Sequence, residues 1–353
     1  MPAEPLPKAV DPDYLTGVLR RSGAIDNARL RDVVVEHSRA TLVSRIARLR
    51  LDYDGPAAGA PASLILKTGL PRSGANVAPS GRQEVAFYNT VAPAMTDPPV
   101  PHCFDAQWNA DTSESHLLLE DLTDTHVLPT IWPLPPTMEQ CVLILAARAR
   151  FHAAWWDDPR LGTTIGARHD AATTERYVRD STVHFARFAD RLGEDLSRDR
   201  REIYERFLDA APRLLARHRS HRNVTITHGD AHVWNAFLQR DKQDGVRLFD
   251  WDGWRVSIPS GDLAYMMATH WYSDRRRRLE RPLLDNYHAA LLAHGVTGYD
   301  RADLDDDYRL SVLIQIMTPA WQAAYDLPPV IWWNHLERIM WAVDDLGCRE
   351  LLT

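Results

Sequence analysis

The chain has 353 residues, 45% of them apolar, and a formal net charge of -7. That is enough for one large two-lobed unit or two domains with their own cores, and too apolar for disorder. The acidic balance excludes an overall basic footprint for nucleic acid. No run of 18 apolar residues exists, so no membrane partner is expected. The N-terminus lacks an apolar signal core. Cys103, Cys141 and Cys348 are widely spaced and form neither a metal motif nor a disulfide framework. A reducing, cytoplasmic setting is the expectation.

Residues 1–30 hold a short helix near DYLTGVLRRSG. VVVEHSRATLVSRIARLRLDYD predicts two strands joined by a polar turn, with Leu42, Ser44, Ile46 and Arg48 on one side of the second. After the turn GPAAGAPA, SLILK at 63–67 is a compact strand ending in a lysine. Ser80 with Gln83 reads as a cap for a helix that runs through EVAFYNTVA and stops before Pro93. HLLLE at 116–120 is a further strand.

The texture then becomes helical. Thr137 with Gln140 caps a helix reaching about Trp155, and residues 173–192 and 200–218 read as helices. VTI at 224–226 is a strand, and AFLQ with VRLFD makes a hairpin across 236–250. The rest is mostly helical, with Asn334 and Glu337 as the expected cap of a last helix whose Leu336, Ile339 and Met340 share a face. The expected architecture is α+β: a small strand-rich lobe, 1–122, and a larger helical lobe, 123–353, with a hinge just after Glu120.

THGDAHVWNAF, residues 227–237, crowds His228, Asp230, His232 and Asn235 into eight residues between apolar runs. Gly229 opens a tight loop, and the hairpin is expected to fold Asp250 back beside Asn235. Two such oxygen ligands suit Mg²⁺, which keeps waters and borrows phosphate oxygens. Lys67 is a point charge suited to phosphate, and Glu84 is placed to hold it. Together these parts point to phosphoryl transfer, which needs positioned phosphates, metal ions and a carboxylate to orient the acceptor.

HGDAHVWN resembles the HGDxxxxN catalytic loop of the aminoglycoside phosphotransferase and choline kinase superfamily. LFDWD at 248–252 is similar to its metal-binding segment, SGDLAYMMA at 260–268 to the helix that follows, and LILK to the small-lobe lysine strand. RQEVAFYNTVAP resembles the helix with the lysine-pairing glutamate, and HLLLEDL at 116–122 the adenine hinge. EVAFY, LLLEDL and DLAY together look most like the ecdysteroid-kinase-like and related bacterial branch. The resemblance spans about residues 32–345 and implies a protein-kinase-like two-lobed fold, ATP (or GTP) and Mg as cofactors, and a small-molecule hydroxyl acceptor. It implies that Asp230 orients or deprotonates the acceptor, that Asn235 and Asp250 hold metal, that Lys67 contacts the α/β-phosphates and that Glu84 fixes it. His228 would support the loop, Asp262 would brace it, and the backbone of Glu120, Asp121 and Leu122 would read adenine. Asp252 would be an extra metal or acceptor contact.

One departure is the turn EHSRATLV, which lacks glycine, so Ser38, Arg39 and Thr41 must replace a glycine-rich phosphate loop. Only eleven residues separate Asp250 from Asp262. In the family's terms that leaves no long segment for docking a polypeptide. The resemblance places Trp321 and Trp333 in the acceptor wall. RRRR at 275–278 reads as a solvated face. Two other functions fit parts of the pattern: a nucleotide-binding pseudokinase or nucleotidyl transferase, and a metal-dependent hydrolase using His228, Asp230 and His232 as H-x-D-x-H ligands.

Overall fold

The computed structural model describes residues 8–41, 43–70, 81–240 and 245–353. Two of the expected features, Ser80 as a cap and the placement of Leu42, lie outside these residues. The chain forms two compact units, residues 1–127 with 237–253 and residues 128–236 with 254–353.

In the first unit, α1 (Pro12–Arg21) starts at Asp11, whose side chain accepts from the Tyr14 N–H. Next come β1 (Arg29–Ala40), β2 (Ser44–Asp54) and β3 (Ser63–Gly69), then α2 (Arg82–Ala86), β4 (Cys103–Trp108), β5 (Ser115–Glu120) and the short β6 (His126–Val127). The first five strands form one sheet in the order β1-β2-β3-β5-β4. Leu15, Val18 and Leu19 of α1 pack with Leu49, Leu51, Leu64, Leu66 and Leu118 to form its core. Strand period two puts Leu64 and Leu66 on that face, so Lys67 falls on the other.

Ser44, Ile46 and Arg48 share one side of β2 as expected, and the other side supplies the buried Ala47, Leu49 and Leu51. Two further features differ from the expectation. The α2 helix is one turn, followed by a π-type turn at Phe87–Val91 and a 3₁₀ turn at Ala92–Ala94 that contains Pro93. β4 has no counterpart in the sequence reading: it is a bulged edge strand in which only Ala106 is buried, so its alternation is faint.

The chain then enters the second unit through α3 (Met138–Ala154), which carries the expected Thr137–Gln140 capping box. α4 (Ala171–Leu192), α5 (Arg198–Leu214), α6 (Ala216–Arg219) and β7 (Thr225–Thr227) follow. β8 (Ala236–Gln239) and β9 (Arg247–Leu248) return to the first unit, in a sheet ordered β6-β8-β9. His126 pairs with Gln239, Val127 with Leu238, and the Leu248 N–H donates to the Pro99 carbonyl. β10 (Arg255–Ser257) pairs with β7, and α7 (Ser260–Ala264), α8 (Ser273–Ala293), α9 (Arg301–Ile314), α10 (Met317–Ala324) and α11 (Pro329–Asp345) complete the second unit.

α11 begins at the Pro328–Pro329 pair, five residues before the expected cap; Asn334 lies inside it and donates to the Val330 carbonyl. Proline at the first helical position is pre-set for a helix and needs no N–H partner. Leu336, Ile339 and Met340 are buried as expected. The RRRR run is not all solvated: Arg276 is buried and ion-paired with Glu280 and Asp345. The division is therefore α+β, strand-rich first and helical second. No described helix is long and apolar enough to cross a membrane.

Candidate functional site

In the first unit the lysine strand, the one-turn helix and the segment after β9 converge. Lys67 Nζ lies 2.6 Å from Glu84 Oε2 and 2.7 Å from Asp250 Oδ1. Burial opposes the lysine's charge, but Glu84 and Asp250 outweigh it and hold the ammonium above its ordinary pKa. Burial raises the Glu84 carboxyl despite Lys67 beside it. Asp250 itself sits at φ 69°, in the left-handed region that aspartate tolerates better than most residues.

The helix carrying Glu84 is fastened to the same segment in three ways. Asp252 accepts from the N–H groups of Gly81 and Glu84, each at 3.3 Å, so it caps α2 from far along the chain. Glu84 Oε1 accepts from the Trp251 N–H at 3.3 Å. Phe87 and Trp251 stack with ring centroids 4.1 Å apart. Asp252 therefore serves the helix end, a use that the expectation of an extra metal or acceptor contact did not include. Lys67, Glu84, Asp250 and Asp252 line a narrow cavity with Ser44 and Ser115.

The glycine-free turn is built from a side chain. Thr41 Oγ1 accepts from the N–H groups of Val43 and Ser44 at 3.3 and 3.0 Å, and the Thr41 N–H donates to the Ser44 carbonyl. At the expected hinge, the Glu120 N–H donates to the His102 carbonyl. Asp121 Oδ2 accepts from Arg48 Nε and Ser63 Oγ, each at 2.6 Å. Leu122 gives its carbonyl to the N–H groups of Thr125 and His126. Among the described residues, the half-buried Leu122 N–H has no acceptor.

In the second unit the HGD loop hangs from one carboxylate. Asp262, buried on α7, accepts from the His228 N–H at 2.8 Å and the Gly229 N–H at 3.0 Å. Gly229 has φ 82°, the conformation that lets the chain turn there. His152 Nε2 is 3.2 Å from the same carboxylate, and Arg148 donates to the Ala231 carbonyl at 3.0 Å. Burial works against the Asp262 charge, but His152, Arg148 and His228 prevail and hold it well below the usual carboxylate range. Burial lowers the pKa of His152. The neutral ring then donates from Nε2 to Asp262 and accepts the Tyr287 hydroxyl at Nδ1.

His228 is itself buried, and its Nδ1 accepts from the Asp230 N–H at 3.3 Å. That supporting role leaves it unsuited to an H-x-D-x-H metal set, and no group of three His, Cys, Asp or Glu among the described residues could hold a metal ion. Asn235 Nδ2 donates to the Asp230 carbonyl and to Asp230 Oδ2, at 2.9 and 3.0 Å. The amide oxygen is thereby the atom turned to other use, and it is a hard donor of the kind magnesium takes. The Asp230 side chain stays 41% exposed, with His232 Nε2 3.5 Å from it.

The sequence reading missed Arg148 and His152. Their i,i+4 spacing, two polar residues on the buried face of a mostly apolar α3, is the signal that could have found them. Trp321 packs on His184 and Tyr325, and Trp333 on Trp332. Ring contacts beside the HGD loop come from Trp234, His270 and Tyr265.

No curated protein matches this chain. Solved structures do. A candidate aminoglycoside phosphotransferase from Ralstonia eutropha has a TM-score of 0.58 at 14% identity, covering 97% of this chain and 98% of its own. An ethanolamine kinase from Plasmodium vivax gives 0.54 at 10%, covering 89% and 83%. A choline kinase from Streptococcus pneumoniae gives 0.51 at 12%, covering 95% and 98%. At these identities the likeness is one of fold, the protein-kinase-like two-lobed α+β class. The sequence pattern of the ecdysteroid kinase-like family matches residues 40–296. The chain therefore belongs to the ecdysteroid kinase-like family, whose reaction type is that of a phosphotransferase-like kinase.

Proposed function

We propose that this protein moves the γ-phosphoryl group of ATP to a hydroxyl of a small molecule. The observation that carries the reading is Lys67 Nζ held between Glu84 and Asp250. An ammonium fixed by two carboxylates, one of them on a helix capped from the same segment, is a preorganised seat for phosphate oxygens. Lys67 contacts the α/β-phosphates, and Glu84 keeps it aimed. Asn235 and Asp250 are the proposed magnesium ligands. Magnesium, when bound, neutralises charge on the phosphate oxygens. Asp230 orients the acceptor hydroxyl and takes its proton on a carboxylate oxygen, while Asn235 Nδ2 holds that carboxylate in place.

The open Leu122 N–H favours ATP over GTP. Adenine presents a ring-nitrogen acceptor to such a donor, whereas guanine presents an N–H at the same position. A small acceptor fits the short link from Asp250 to Asp262, which contains only a 3₁₀ turn and β10 before α7.

Asp230→Asn tests the reading. ADP release with a panel of hydroxyl compounds should fall about a thousandfold while nucleotide affinity stays near wild type. Equal loss of both would remove Asp230 from its role. Metal-dependent nucleotide binding with no ADP release from the wild-type chain would favour the pseudokinase or nucleotidyl-transfer alternative.

A further inference from the structure

Among the described residues of the second unit, one arginine has no carboxylate partner and stands at the far end of a run of rings that reaches Asp230. α11 has three acidic residues and a single arginine. Each acid is already claimed. Glu337 pairs with Arg200, Asp344 with Arg349, and Asp345 with Arg276 and Arg277. Arg338 is left with no carboxylate among the described residues, and its Nε is sealed from solvent without an acceptor. Its guanidinium lies 4.2 Å over the Tyr272 ring, whose hydroxyl donates to Asn334. The sealed N–H is closed to a ligand, so the groups that can take an anion are the two Nη nitrogens, which no carboxylate among the described residues claims.

A chain of rings leads from this arginine to Asp230. His335 is one helical turn before Arg338, on the same face. Its ring centroid is 4.8 Å from that of His270, which is 5.5 Å from His232, which in turn faces Asp230. His270 Nδ1 donates to the Tyr265 carbonyl, and His335 Nδ1 meets Gln322 Oε1. Burial pushes both imidazoles far down, His335 to about 3, so neither adds charge near neutrality. The charged groups that bear on these two rings are Arg338, Asp230 and, when protonated, His232. Among the described residues, Asp230 is the one carboxylate that bears on these rings. The Tyr272 face that could have held one is occupied by Arg338.

We propose that Arg338 is a specificity-determining residue, and that the acceptor is an alcohol bearing an anionic group, a carboxylate or a phosphate, which pairs with its guanidinium. The proposal rests on the transfer reaction above, because it is that reaction which puts the acceptor hydroxyl at Asp230. The paired charge–charge hydrogen bonds would be bidentate, the geometry in which arginine exceeds lysine.

Three probes of equal length separate the possibilities: hydroxyhexanoate, hexanediol and aminohexanol, with dissociation constants measured by ligand-observed NMR on the full chain with MgADP. Hydroxyhexanoate should bind about tenfold more tightly than hexanediol, the scale of one charge-assisted contact. Aminohexanol should bind most weakly. Arg338→Glu should reverse the order of the charged probes, and Arg338→Lys, which keeps the charge, should preserve it. Equal affinities, preference for aminohexanol, no detectable hydroxyhexanoate binding, or an order unmoved by Arg338→Glu would overturn the assignment. ADP release with the same probes is read separately. Binding in the expected order without ADP release keeps the role of Arg338 and counts against the transfer reaction.

Discussion

The two units hold their functional groups in opposite ways. In the first, the groups hold one another: Glu84 and Asp250 both pair with Lys67, and Lys67 and Asp250 are themselves candidate ligands for the nucleotide and its metal. In the second, the loop bearing Asp230 is held from behind, and Asn235 Nδ2 steadies the carboxylate itself. Asp262 carries the loop backbone, α3 supplies Arg148 and His152 behind it, and Asp230 keeps a partly exposed carboxylate. The first arrangement can respond to a ligand by trading partners. The second is a scaffold that must be complete before anything binds. Damage to the scaffold should therefore appear as lost stability, and damage to the ion cluster as lost affinity with a milder, pH-dependent stability cost.

The largest expected effect is at Asp262. Asp262→Asn replaces an oxygen that accepts an N–H with a group that donates, and leaves Arg148 buried without its counter-charge. Arginine cannot escape by losing its proton. Urea titration should show a loss of about 3–4 kcal/mol. A loss below about 1 kcal/mol would mean that the loop is held elsewhere.

Lys67→Met should cost less, about 2 kcal/mol near neutrality, because the stranded Glu84 can take up a proton. The pH dependence follows from the sign of its shift. The folded pKa of Glu84 already lies above its ordinary 4.5 through burial, and Lys67 is the main group pulling it down. Without Lys67 it rises further. A carboxyl raised on folding contributes stability at low pH that is lost as pH climbs from the unfolded value through the folded one. The variant should therefore come closer to wild type near pH 5.5 than near pH 8. A deficit independent of pH would indicate that lost packing, not a stranded charge, dominates.

The same contrast explains what was readable in the sequence. Local chemistry was legible. Thr137 and Gln140 form the capping box they spell, LILK is a strand, and the HGD loop follows a buried strand that pairs with β10. Lys67, Glu84 and Asp250 were legible as types, and the structure joins them. Supports acting from a distance were not. Arg148 and His152 look like interruptions of an apolar helix until Asp262 is placed against them. Asp252 caps a helix 168 residues away, which no local motif announces. The return of 237–253 to the first unit depends on pairing with β6, a strand of two residues. Asn334 misled because its spacing to Glu337 imitates a cap, whereas the prolines at 328–329 start the helix.

A smaller effect is expected at Gly81, where Asp252 grips the α2 end. Its φ is 87°, and a Cβ there would collide with Ser115 Oγ. Gly81→Ala should cost about 1–2 kcal/mol from the left-handed backbone alone. Glu84 rides on this turn, so the Michaelis constant for ATP should also rise. A stability loss with an unchanged constant would separate the helix end from the aim of Lys67.

The smallest effect sets the two holding devices side by side. Thr41 Oγ1 takes two loop N–H groups in a row, as the Asp262 carboxylate does, but with a neutral oxygen on an exposed residue. Water can replace it there. Thr41→Val, which keeps the shape, should therefore lower stability by about 1 kcal/mol or less. Its consequence for ATP decides whether this turn takes the place of a glycine-rich loop. If the turn presents its backbone to phosphate, loosening it should raise the Michaelis constant for ATP severalfold and leave the maximal rate nearly unchanged, the pattern of lost ground-state binding. If both constants stay at wild-type values, the phosphates are held by Lys67 and the proposed metal ligands without the turn, and the first unit's ion cluster carries nucleotide binding by itself.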